Sequence, residues 1–162
     1  MGQMTVQEFW TDLVRTVPEF GDAYRRELEE EEGELLPHLM MGITLRPFLE
    51  ARIDASSPPK TARDRIALDV AQRAVACLEA GLAAGDHELQ ETILISFLQK
   101  LATERSEDTQ HRFRAFFGPY LESGMKAVER WLAQPWQKDR SAPYEWLTWD
   151  PSYVQDQAKE AQ

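Results

Sequence analysis

Six glutamates occupy eight consecutive positions in Glu27-Leu28-Glu29-Glu30-Glu31-Glu32-Gly33-Glu34, the most concentrated chemistry in the chain. Glu27, Glu29, Glu30, Glu31, Glu32 and Glu34 share alike, watery surroundings, whereas a hydrolytic carboxylate pair needs unlike ones, with one acid desolvated. What such a run can do is recognise. It steers a basic partner to the surface and imitates the charge of a nucleic acid. Like charges at i,i+4 are destabilising, and acids at a helix C-terminus oppose its dipole. Part of that strain vanishes if Glu31, Glu32 and Glu34 belong to the first turn of a following helix.

The second concentration is aromatic. Trp136, Tyr144, Trp146, Trp149 and Tyr153 crowd the stretch after Gln134, which Pro135, Pro143 and Pro151 keep from forming a long helix. These rings either wrap back over the rest of the chain or anchor a partner, with Trp136, Trp146 and Trp149 as the candidate anchors. Other chemistry is thin. No phosphate-binding glycine loop, CxxC pair, HExxH or GxSxG is present. His38, His87 and His111 fall in three different predicted helices, so the expectation is no metal, no cofactor and no catalysis. Cys77 sits beside Leu78 on an apolar helix face and reads as a small structural hydrophobe.

These groups must be positioned by one domain of 162 residues. Eighteen basic against 28 acidic residues leave a net charge of -10. That balance argues against nucleic acid and against an anionic membrane as partners. The N-terminus has no basic segment followed by an apolar one, so a cytoplasmic location is expected.

Periodicity is helical nearly throughout. Thr5 and Glu8 form a capping-box pattern that starts a helix ending at Val17-Pro18. A second helix is expected over Gly21 to Glu30 and a third from near Gly33. Gly42 and Pro47 then predict two short helices with a bend between Leu35 and Ile53. Ala55-Ser56-Ser57-Pro58-Pro59 reads as a linker in which Ser57-Pro58 resembles a cap, and the helix after it, over about Thr61 to Ala84, carries Ile66, Val70, Ala74, Cys77, Leu78 and Leu82 and ends in a left-handed Gly85. Asp86 caps the next helix, whose Leu89, Ile93, Leu94, Ile95, Phe97, Leu98 and Leu101 make it apolar on more than one face and hence the central one. Two shorter helices carry Phe113, Phe116 and Phe117, then Leu121, Met125, Val128, Trp131 and Leu132. The predicted fold is all-α: one multi-helix bundle over residues 1–133, of about six to eight helices that could pair antiparallel as HEAT repeats do. Residues 134–162 form an irregular, Trp-rich extension packing on it.

The block from Gly81 to Leu101, with Gly85-Asp86 followed by Ile93, Ile95, Ser96, Phe97 and Leu98, resembles a family of small all-helical bacterial proteins that includes immunity proteins of polymorphic toxin systems. Val17-Pro18-Glu19-Phe20, Glu34-Leu35-Leu36-Pro37-His38 and Met41-Gly42 are similar to that family's N-terminal half. The resemblance spans roughly residues 9 to 132. It implies an all-α bundle and a protein that binds a cognate protein toxin and blocks it without catalysis. The glutamate run exceeds the family pattern and the Trp-rich extension lies outside it, so either could carry specificity for one toxin with a basic face. The alternative reading is a helical scaffold or adaptor subunit that forms homo- or hetero-oligomers, with no toxin to neutralise.

Overall fold

The computed structural model describes residues 2–56, 58–134 and 149–160. Eight helices are found among the described residues, arranged as one bundle. They are α1 (Val6–Thr16), α2 (Gly21–Glu30, led in by a 3-10 turn over Pro18–Phe20), α3 and α4. Helix α3 runs as Pro37–Leu39, Met40–Leu45 and Arg46–Ser56 without a break, and α4 is Ala62–Ala84. Helix α5 likewise joins His87–Thr92, Ile93–Gln99 and Lys100–Glu104; α6 (Glu107–Arg114), α7 (Pro119–Leu132) and α8 (Ser152–Glu160) follow. The middle piece of both α3 and α5 is π-helical.

Capping follows the residues that predicted it. Thr5 accepts from the Glu8 amide at 3.2 Å while the Glu8 carboxylate accepts from the Thr5 amide at 2.8 Å. Asp86 accepts from the Leu89 amide at 2.9 Å. The long helix starts where expected, within one residue of Thr61. Its cap is Thr61, reciprocally bonded with Asp64, and not the Ser57-Pro58 pair. Ile66 correspondingly lies 64% exposed, outside the apolar face that begins at Val70.

Helix α5 is the centre. Residues 92 to 98 are all buried, and α3, α4 and α7 pack around them. A second focus is an aromatic chain: Trp10 stacks near Phe20 and Tyr24, and meets Phe9 edge-on, while Phe20 meets Phe48 edge-on. Trp10 and Phe20 are fully buried, so this cluster fixes α1, α2 and α3 against one another.

The bend expected between Leu35 and Ile53 is absent. Gly42 and Pro47 lie inside one helix, because its turn widens just before the proline: the Arg46 amide donates to Met41, five residues back. Widening moves the carbonyl that the proline ring would otherwise strike. At Gly42 α3 comes close to α5, since a side chain there would stand 3.2 Å from the Ser96 carbonyl.

Helix α7 has its cap supplied from another helix. The Glu79 carboxylate of α4 accepts from the Tyr120 amide at 2.6 Å and the Leu121 amide at 2.9 Å. A negative charge there suits the positive end of the helix dipole. Beyond Leu132, the expectation of an irregular extension is corrected in part, since α8 forms directly after Pro151.

Candidate protein-interaction surface

Helix α2 ends where the glutamate run begins to tighten. The Gly33 amide donates to Leu28 at 2.7 Å and the Glu32 amide to Glu29 at 3.3 Å, a Schellman closure. The residue this motif holds in the left-handed region is Glu32, at φ 54°, followed by Gly33 at φ 85°. The third helix begins only at Pro37. Glu31, Glu32 and Glu34 therefore belong to the end of α2, not to the start of the next helix, and the electrostatic strain is retained rather than relieved. Replacing Glu32 with glycine removes both the side-chain clash and one charge at that negative terminus. The expected result is a gain of about 1 kcal/mol, read as a rise in the thermal midpoint.

The six carboxylates lie in the last turn of α2 and the turn that follows it. Glu29, Glu30, Glu32 and Glu34 are exposed, and Glu27 and Glu31 are half-buried. Among the described residues none of the six forms an ion pair, whereas Glu19, Glu50, Glu104, Glu122 and Glu129 elsewhere are all engaged by arginines. Glu27 accepts a bond from the Thr44 hydroxyl at 3.2 Å, linking α2 to the π-helical part of α3. Glu27, Glu30, Arg26 and Ala23 on one side, with Thr44 and Ile43 on the other, frame a shallow groove. Ile43 is 62% exposed. The surface thus combines two carboxylates, one arginine and an exposed apolar side chain, acidic surroundings suited to a basic partner that also carries an apolar residue.

Ile43 was not legible beforehand. Met40-Met41-Gly42-Ile43 is a continuous apolar run, and the π-helical turn decides which member faces outward. A further contact that the sequence reading missed joins α3 to α5: His38 Nδ1, in the first, α-helical piece of α3, lies 2.6 Å from the hydroxyl of Ser96 in the π-helical piece of α5. The other histidines stand apart from it. His87 is exposed beside Glu91 at 3.7 Å, and His111 lies on α6. Among the described residues no three His, Cys, Asp or Glu side chains are placed to hold a metal ion. Cys77 is half-buried, and that burial pushes its thiol pKa up, which weakens it as a nucleophile.

Of the three tryptophans expected as anchors, Trp136 and Trp146 lie outside the described residues. Trp149 is half-buried, packed against the bundle, and its indole N–H donates to the Ser123 hydroxyl of α7 at 3.1 Å. The structure brings none of the glutamates into contact with it.

The model of the domain of unknown function DUF7674 matches residues 11–133. The chain belongs to that family. The DUF7674 match takes in the end of α2, the glutamate turn, the π-helical contact and all of α7. Trp149 and α8 lie beyond it, as does the capping box of Thr5 and Glu8. No curated protein and no solved structure matches the chain. No helix among the described residues is long and apolar enough to cross a membrane.

Proposed function

We propose that this DUF7674 protein is an immunity protein that binds a cognate bacterial protein toxin through its acidic end and blocks the surface the toxin needs. The observation that carries the reading is the set of six glutamates with no ion-pair partner among the described residues, kept at the unfavourable end of α2 by a closure that strains Glu32. A face held at an electrostatic disadvantage in the free protein gains when a cationic partner arrives. Neutralisation proceeds by binding alone, in the cytoplasm, with no cofactor and no nucleic acid. An aromatic anchor from Trp136, Trp146 or Trp149 completes the complex. Where Trp149 serves, it gives up its bond to Ser123.

Affinity capture from the protein's own host, followed by expression of the captured partner alone, tests this directly. Toxicity of a stoichiometric partner, relieved by co-expression, supports the reading. Recovery of only the protein itself, from cells making the effector, favours the oligomeric scaffold. With the partner in hand, Glu29→Lys, Glu30→Lys and Glu34→Lys together should slow association about ten-fold at low salt and much less at high salt. These side chains are exposed, so the folded state should tolerate the change. An unchanged association rate overturns the steering claim.

A further inference from the structure

We infer that the acidic groove receives a basic tip from a second copy of this chain, in a head-to-tail contact. The tip is where the chain turns back from α3 into α4. Lys60, Arg63, Arg65 and Ile66 are exposed there, and among the described residues none of the three cations has a hydrogen-bond or ion-pair partner for its side chain. The acids nearest in sequence are engaged elsewhere. Asp64 accepts from the Lys60 and Thr61 amides at 2.9 and 3.0 Å, Asp54 pairs with Arg112, and Asp69 pairs with Arg73.

Three large apolar side chains are exposed among the described residues, and two of them mark these two places. Ile43 stands beside Glu27 and Glu30 in the groove, which Arg26 also lines. Ile66 lies one helical turn from Arg63, so the two share a face of α4. Each patch is an apolar centre in charged surroundings, and the signs are opposite. That is the anatomy of two halves of one interface. The groove, about 230 Å³, is smaller than the roughly 300–1,000 Å³ of small-molecule sites and suits a protruding side chain.

The two patches do not satisfy one another within one molecule. Helix α3 rises about 20 Å from Ile43 to Ser56, just before the tip. That exceeds the Debye length of about 8 Å at physiological salt. Joined between copies, they make a heterologous contact, which builds rings or chains instead of a closed pair. The net charge of -10 opposes association at long range and keeps the contact weak. It uses the groove of the toxin-binding proposal but does not rest on it, and its test needs only the chain itself.

Sedimentation equilibrium of the full chain is that test. At about 0.1 M salt the net charge is screened beyond about 10 Å while charges in contact are not. The weight-average mass should then rise above 18.7 kDa as the concentration approaches about 1 mM, and association should weaken at least about ten-fold in 1 M salt. Lys60→Glu, Arg63→Glu and Arg65→Glu together should abolish it, as should Glu29→Lys, Glu30→Lys and Glu34→Lys together. An equimolar mixture of the two variants should associate again, because each supplies the sign that the other has lost. The lysine variant is the sharper of the two, since its smaller net charge would otherwise favour association. Ile66→Ser should weaken association about five-fold with no change of charge. All seven side chains are exposed, so the fold should tolerate these changes. A constant mass at every concentration overturns the inference. So does association that survives either charge reversal or Ile66→Ser, and so does a mixture that stays monomeric.

Discussion

Replacing Arg46 with alanine should lower the stability of the bundle by about 3 kcal/mol, at the lower end of the range for breaking a buried ion pair. The Arg46 side chain is 7% exposed. It donates to Glu50 at 2.7 Å and to Glu104 at 3.0 Å, and Glu50 accepts in turn from Arg105 at 2.7 Å. Four alternating charges thus join α3 to the end of α5, and removing one leaves Glu50 with 15% of its side chain exposed and half its compensation. Retention of Arg105 keeps the loss from being larger. For a chain of this size the expected fall in thermal midpoint is about 6–12 °C. Arg46→Met separates two contributions, since it keeps the aliphatic stem packed and removes only the charge. A midpoint for Arg46→Ala within 2 °C of the parent would show that the network adds nothing to the folded state.

Gly85→Ala should cost about 3 kcal/mol or more, for a different reason. The backbone at Gly85, φ -70° and ψ 156°, is open to any residue, so the expected left-handed cap is not what holds glycine there. What holds it is close approach. A Cβ would stand 2.3 Å from the Gly81 carbonyl oxygen and 2.8 Å from Leu89 Cδ2. The obstacle is backbone, and the corner cannot yield easily, because Met4 clamps it from both sides: its amide donates to Ala84 and its carbonyl accepts from Asp86, each at 2.8 Å. Gly33→Ala provides the contrast. No atom lies within 4 Å of a Cβ there, so only the positive φ of 85° is penalised, by about 1 kcal/mol. Denaturant unfolding of both variants checks the ordering, and equal losses would contradict it.

The closeness that makes Gly85 indispensable could not be seen in Gly85-Asp86 as letters. The residues around it were nevertheless informative about where helices begin. Thr5, Asp86 and the spacing of Leu89, Ile93 and Phe97 act within a few residues of one another, and local hydrogen bonds and one-sided burial respond to little else. Ser57-Pro58 offered a cap-like pair four residues before Thr61, and the reciprocal bonds of Thr61 with Asp64 are what the helix uses. Pro47 misled because its effect on a helix depends on whether the preceding turn can widen, and the contact of Gly42 with Ser96 across the bundle is what that widened turn accommodates.

The sequence by itself determined that the described part of the chain is an all-α bundle, that α5 lies at its centre and that a dense acidic segment is present, because composition and periodicity act locally. Only the tertiary structure decided that Glu31, Glu32 and Glu34 close α2 instead of opening α3, that Ile43 faces outward beside Glu27 and Glu30, that Glu79 caps α7 from a distance of forty-one residues to Tyr120, and that Trp149 rests on Ser123. The last three depend on how separate elements approach one another, which the packing of the whole core sets and no short stretch of residues senses, whereas the closure of α2 is local, a choice between two helix ends that residue types alone left open.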